Sequence, residues 1–338
     1  MNFWKELPKP FFVLAPMADV TDAPFRKMIA KYSAHERKDG TIGGPDVMWT
    51  EFVAADGLVR ATPEGKEKLM MDLIYSEEER PIVAQLFTSN PEHMEYASKL
   101  CLELGFDGID INMGCPDRSI EKQGCGSAMI KNPESAKAVI QAAKRGARTG
   151  ESDGIPVSVK TRIGYNHNQL EEWLPAILEE SPAAITLHAR TRREMSKVPA
   201  RFEHVKRAVE IRNELNSETL ILGNGDVTSL ANAQEKVDET GADGIMLGRA
   251  IFGNPWLFHP EKDLSHIGLE ERLRVMVEHT KLFEQLLPSK NFAIMKKHYK
   301  AYSNSFSGAA ELRAELMGQN TAAEIEKVVK AFLSKINL

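Results

Sequence analysis

The stretch TLILGNGDVTSLANAQEKVDETGADGIMLGR, residues 219–249, decides the architecture. It opens on an apolar run that breaks at Gly223-Asn224-Gly225-Asp226. A segment with helical spacing, 228–240, follows and is stopped by Gly241. A second apolar run, 244–247, ends on Gly248-Arg249. Strand, helix and strand within about 30 residues make a right-handed βαβ unit with parallel strands.

Outward from this unit the pattern recurs. Candidate strands are FFVLAPM (11–17), DVMWTEF (46–52), PIVAQLF (81–87), FDGIDIN (106–112), PVSVKTR (156–162) and AITLHAR (184–190). Their apolar centres suit parallel strands covered on both faces. Ser89-Asn90-Pro91-Glu92 opens a helix that runs to Leu104 and stops at Gly105. Asn132-Pro133-Glu134 opens another to about Arg148, with Gly150 beyond. Eight such units predict an α/β fold, a (β/α)8 TIM barrel rather than an open doubly wound sheet. After Phe258 the strand pattern ends, and 268–286, 290–303, 308–317 and 321–336 read as helices. Two domains are therefore expected: a barrel over 1–258 and a C-terminal all-helical domain over 259–338. Residues 33–46 read as a polar, glycine-containing loop.

Composition narrows the class. With 338 residues, 42% hydrophobic and 27% charged, the chain has ample material for a core and is not disordered. A net charge of −5 excludes an overall basic nucleic-acid protein, so any RNA contact must come from local patches. The three cysteines contain no CxxC pair, which excludes a zinc ribbon and suits a reducing cytosol. No apolar run reaches the 18 or so residues of a membrane span. Lys5, Glu6 and Lys9 interrupt the N-terminus, so no signal peptide is read. A cytoplasmic monomer without membrane or metal partners is expected.

In a barrel, function gathers at the C-terminal strand ends. Those ends carry Pro16-Met17-Ala18, Gln85, Asn112, Lys160, Arg162, His188, Arg190, the GNGD turn and Gly248-Arg249. Glycine turns after the last two strands, with an arginine beside them, form a phosphate cradle. Lys160 interrupts an apolar strand and needs an anion or a strong acceptor. If the phosphate belongs to flavin mononucleotide (FMN), Lys160 faces the pyrimidine side of the ring, Gln85 bonds its edge and Met17 packs on one face. The alternative for Lys160 is a salt bridge to Asp110 or Glu51. Cys115, in NMGCP, starts a long loop after the fourth strand, and its thiol suits a general acid, a nucleophile or a small buried side chain. Cys125 in the same loop is left open, and Cys101, in mid-helix, reads as core. His188 at a strand mouth is a candidate donor to a ligand.

Basic residues cluster locally. Eight Lys and Arg stand against three Glu between 187 and 212. Lys296, Lys297 and Lys300 follow, with His298, Tyr299 and Tyr302 between and just after them. Lysines contact phosphates and tyrosines stack on bases; the plain alternative is two solvated helix faces.

Together these residues resemble the tRNA-dihydrouridine synthase family. The resemblance lies in APMADVTDAPFR, TEFVAADGL, AQLFTSNP, DGIDINMGCP, GCGSAMIKNP, VKTRIG, LHART, GNGDV and GADGIMLGRAIFGNPWLF, and more loosely in KKHYKAY with GAAELR. It implies an FMN-dependent reduction of the uracil C5=C6 bond in tRNA, with NADPH as reductant. Hydride would reach C6 from the reduced flavin, and Cys115 would protonate C5. Pro16, Met17, Ala18, Gln85, Lys160, His188, Asn224, Gly225, Asp226, Gly248 and Arg249 would hold FMN. Asn112, Arg162, Arg190, Lys296, Lys297, His298 and Lys300 would contact the RNA. The sequence departs from the common pattern in its long 33–46 loop, in Cys125 and in Ala301. The alternatives are an FMN barrel oxidoreductase acting on a free small molecule, a non-catalytic RNA-binding relative and, more distantly, a phosphate-binding lyase.

Overall fold

The computed structural model describes residues 2–148, 150 and 154–336. Met1 and Leu338, the outer limits of the two expected domains, lie outside the described residues. The chain divides into two compact units, Met1–Ala18 with Asp46–Gly248, and Asp19–Pro45 with Arg249–Leu338. The expected boundary after 258 thus falls inside the second unit, which also takes in helix Ala23–Ser33.

The first unit is the barrel. Its strands are β1 Phe11–Leu14, β2 Met48–Trp49, β3 Ile82–Phe87, β4 Gly108–Met113, β5 Val157–Arg162, β6 Ala184–His188, β7 Leu220–Asn224 and β8 Gly244–Leu247. Each pairs in parallel with its sequence neighbour from β2 round to β8, and β8 pairs with β1. Two backbone bonds, Asp46 N to Phe12 O at 2.9 Å and Leu14 N to Val47 O at 3.1 Å, complete the ring between β1 and β2. All eight sequence-derived strands are present, most trimmed by a residue or more. Extending β2, Val53–Ala54 pairs separately with the end of β3.

Side chains alternate inward and outward along each strand, and the register fixes which point inward. Phe11, Val13 and Ala15 share an interior cluster with Trp49, Val83, Leu220, Leu222 and Met246. Trp4, stacked near Phe3, Phe11 and Trp49, packs in the same cluster. Two residues further along the same rows, polar side chains replace apolar ones. This change of chemistry along one face places the site at the C-terminal mouth.

The second unit is mainly helical. Helices Leu269–Leu286, Lys296–Tyr302, Ala309–Met317 and Ala322–Ile336 occupy the tail as expected, the second preceded by a 3-10 turn Phe292–Met295. Residues expected to form a plain loop at 33–46 instead contain a small antiparallel pairing, His35–Glu36 with Ile42–Gly43. Phe25 and the rings of His279 and His298 pack at 4.7–4.9 Å in the core of this unit. None of the helices described is long and apolar enough to cross a membrane.

Candidate active site at the barrel mouth

Register aligns the inward polar residues. Gln85 sits beside Asp110, Asp110 beside Ser158, Asn112 beside Lys160, and Arg162 and Asn224 beside His188. The period of two in D-x-N on β4 and in S-x-K-x-R on β5 is the sequence signal for this inward row.

Asn112 organises the loop that carries Cys115. Its Oδ1 accepts the backbone N–H of Gly114 at 3.1 Å and of Cys115 at 2.9 Å. Arg162 Nε donates to the Gly114 carbonyl at 2.7 Å. The Cys115 carbonyl accepts from both the N–H and the hydroxyl of Ser127, each at 2.9 Å. Gly126 makes this approach feasible. Its φ is +60°, and a Cβ there would lie 2.7 Å from the Cys115 carbonyl oxygen. Burial pushes the Cys115 thiol above its ordinary pKa; a backbone hydrogen bond at Asp117 and the charges of Arg162 and Lys160 oppose this, and the charge of the Asp117 carboxylate adds to it.

Lys160 does not salt-bridge to Asp110 or Glu51. Its ammonium donates to Asn224 Oδ1 at 3.2 Å, and Asn224 is itself fixed through Nδ2 to the Met246 carbonyl at 2.8 Å. Asp110 is taken up by Gln85 and Ser158, each at 2.6 Å. Burial, aided by Arg162, pushes Lys160 down to about 8. Of the ammonium's three donors, one meets an acceptor among the described residues, which leaves capacity for an anionic or carbonyl ligand.

Arg190 is enclosed, 2% exposed, and braces its neighbours. It donates through Nε to the Val198 carbonyl at 2.6 Å, through Nη1 to His188 Nε2 at 3.2 Å, and pairs with Asp226. An arginine only donates, so His188 Nε2 accepts and the imidazole proton resides on Nδ1. Asp226 also accepts from Ala200 N at 2.9 Å. Gly225 (φ +131°) and Asp226 (φ +53°) form the turn, and a Cβ on Gly225 would come within 2.7 Å of Ala200. A Cβ on Gly248 would lie 3.6 Å from the Met17 sulfur, so those two residues are neighbours. Arg249 follows in the chain and opens a 3-10 turn, Arg249–Ile251.

The other expected site residues divide. Arg162 spends three donor contacts on the carbonyls of Gly114, Thr191 and Met195. Cys101 and Cys125 are fully buried, and burial pushes Cys101 up to about 12. Of the basic run from 187 to 212, Arg190, Arg192, Arg201, Arg207 and Arg212 are paired with carboxylates, so its net charge overstates its positive surface. Within the second unit, Lys300 is exposed and Lys296 and Lys297 are half-buried. His298 is a correction. Expected to touch RNA, it is fully buried between Phe25, Phe252 and His279. Tyr299 and Tyr302, read as base-stacking candidates, are core residues too. Only part of each helical turn can face solvent, and these side chains lie on the packed side. Asp110 was missed as a site residue, although its alternation with Asn112 marked it.

The chain has relatives, and its fold has a counterpart among solved structures. A family model described as dihydrouridine synthase (Dus) matches residues 13–337. A probable tRNA-dihydrouridine synthase of Staphylococcus epidermidis is 37% identical over 339 residues, 99% of this chain and 98% of that protein. Probable tRNA-dihydrouridine synthase 2 of Bacillus subtilis is 38% identical over 337 residues, 99% of this chain and 97% of that protein. A solved 2-naphthoyl-CoA reductase complex shares the fold at TM-score 0.52 and 10% identity, over 74% of this chain and 49% of that one.

Proposed function

This chain belongs to the dihydrouridine synthase family of oxidoreductases, and from that membership we propose that it reduces the C5=C6 bond of uridines in tRNA to give 5,6-dihydrouridine, using FMN and NADPH. The observation that carries this reading is the half-buried Cys115, its backbone N–H fastened by Asn112 in the loop after β4 and its thiol within electrostatic reach of Lys160.

The residues present fit a flavin. Lys160 retains donors for the pyrimidine edge of the ring, and its positive charge favours electron-rich flavin. Gln85 and Met17 would contact the ring, with Pro16 and Ala18 beside Met17. The Gly225-Asp226 turn, whose glycine excludes any Cβ, and Gly248 with Arg249 would hold the phosphate. His188, bonded to Arg190, would lie beside the flavin. When bound, the flavin would supply the hydride for C6, with NADPH as the source of its electrons.

Cys115 then gives its thiol proton to C5. A general acid works while it holds its proton, and burial keeps the thiol protonated at neutral pH. Asn112 Nδ2 keeps a second proton for the uracil, since one goes to Gln85 Oε1 at 3.2 Å. A uridine stacked in folded tRNA must be swung out to reach a barrel mouth. Lys296, Lys297 and Lys300 would contact RNA phosphates, and the enzyme would act in the cytoplasm. The test is mass mapping of dihydrouridine in tRNA from cells lacking this protein, with absorbance of the purified protein. Loss of dihydrouridine at defined positions and a yellow protein support the reading; unchanged tRNA and a colourless protein refute it.

A further inference from the structure

We propose that Asp110 is a positioning residue for the Cys115 loop, acting through the amides of Gln85 and Asn112. Its mechanistic meaning rests on the reading of Cys115 as proton donor.

Donor and acceptor polarity fixes how these three side chains face one another. Asp110 is 1% exposed, Gln85 1% and Asn112 6%, so none of the three can exchange partners freely with water. An ionised carboxylate only accepts, whereas each amide has one donating and one accepting end. Ser158 Oγ donates to Asp110 Oδ1 at 2.6 Å, and Gln85 Nε2 donates to Oδ2 at 2.6 Å. Gln85 must therefore turn Oε1 toward Asn112, which donates to it through Nδ2 at 3.2 Å. Asn112 is left with Oδ1 facing the loop, where it receives the N–H groups of Gly114 and Cys115 at 3.1 and 2.9 Å. One buried carboxylate thus sets both amide orientations. Reversing the chain would point Asn112 Nδ2 at two N–H donors and release the loop.

Asp110 also acts electrostatically on Lys160. The two roles separate by substitution. Asp110→Asn removes the charge but keeps an acceptor for Gln85 in one of its two orientations. Asp110→Leu is of similar size and offers no acceptor.

The test uses full-length purified protein and two readouts: the rate of Cys115 alkylation by iodoacetamide, mapped by peptide mass, and kcat and KM for tRNA. In D110L, Cys115 alkylation rises about tenfold and kcat falls at least about tenfold, while KM stays within about twofold, because misplacing a catalytic group by an ångström or less has effects of this size. D110N lies between D110L and the parent protein. Gln85→Met, which cuts the same chain one link on, matches D110L in alkylation, and the double variant is no faster. Parent-like alkylation and kcat in D110L would overturn the proposal. Equal damage in D110N and D110L would also overturn it, assigning the effect to charge on Lys160. Should D110L not fold, an unchanged alkylation rate in Gln85→Met overturns it instead. Full turnover in Cys115→Ala would refute the proton-donor reading alone, since alkylation of Cys115 in D110L still judges the hydrogen-bond chain.

Discussion

Asn112 Oδ1 and the backbone N–H of Cys115 meet at 2.9 Å, so a side chain on the last turn of a barrel strand sets where the loop cysteine begins. The same loop is held at Gly114 O by Arg162 and at Cys115 O by Ser127. A loop fixed from both sides presents its thiol in one place, as proton delivery to a single carbon requires.

Cys115 should stay protonated at neutral pH and react only as its thiolate forms. Its pKa lies above the ordinary 9.0, chiefly through burial. A pH profile of iodoacetamide alkylation should therefore have its midpoint above pH 9, with little reaction at neutral pH. A midpoint below 8 would mean a thiolate, suited to a nucleophile and not to a general acid.

Gly126 should tolerate no side chain. In Gly126→Ala the new methyl would sit 2.7 Å from the Cys115 carbonyl oxygen, at a φ of +60° that alanine adopts only under strain. Backbone strain of this kind costs on the order of 1–2 kcal/mol before the clash is counted. The variant should lose kcat by at least about tenfold, as expected for a displaced catalytic group, with flavin content unchanged. Steady-state kinetics and absorbance measure both, and parent-like kcat would contradict the assigned approach.

Flavin affinity should weaken as pH rises through the Lys160 titration. Burial lowers the folded pKa of this lysine to about 8, so the free site carries the charge below that pH and loses it above. Binding of FMN to flavin-stripped protein should fall from pH 8 to pH 10 and become flat over that window in Lys160→Met. The pH dependence should survive in His188→Ala if Lys160 is its source.

Acid should unfold the second unit through its buried histidines. Among the described residues, none of the four ring nitrogens of His279 and His298 has a hydrogen-bond partner, and burial pushes His279 down to about 3 and His298 well below its ordinary 6.5. The folded form does not take up these protons, while the unfolded chain does below about 6.5. The stability contribution is therefore full above that pH and is lost as pH falls. His279→Phe should raise the melting temperature more at pH 5 than at pH 8, by an amount reflecting on the order of 1–2 kcal/mol for removal of unpaired buried nitrogens. An equal shift at both pH values would show that His279 does not titrate on unfolding.

Much of this was legible in the chain. The βαβ spacing of 219–249 announces the barrel, and polar residues at strand ends announce the mouth. Strand periodicity also marks Asp110, Ser158 and Lys160 as one inward face, though not that Asn224 is the acceptor for Lys160. That partner comes from β7, 64 residues away in sequence, and only register brings the two together. The lysine-rich stretch at 296–300 misled for a related reason. Composition records that His298 and Tyr299 stand among lysines, but not which side of a helix of about two turns, Lys296–Tyr302, packs inward. Pairing of Arg190, Arg192 and Arg201 with distant or looped carboxylates was likewise invisible to a count of charges.

Cys115→Ala, assayed on unmodified tRNA with NADPH, asks whether the Cys115 thiol delivers the proton to C5 beside a bound flavin, with flavin content read by absorbance and dihydrouridine by mass spectrometry. A proton-donating Cys115 gives, in this variant, normal flavin content, normal reduction of the flavin by NADPH, and dihydrouridine formation slowed by a factor of about 100 or more, the usual size of a general-acid contribution. Dihydrouridine formed at the parent rate by the alanine variant would contradict it.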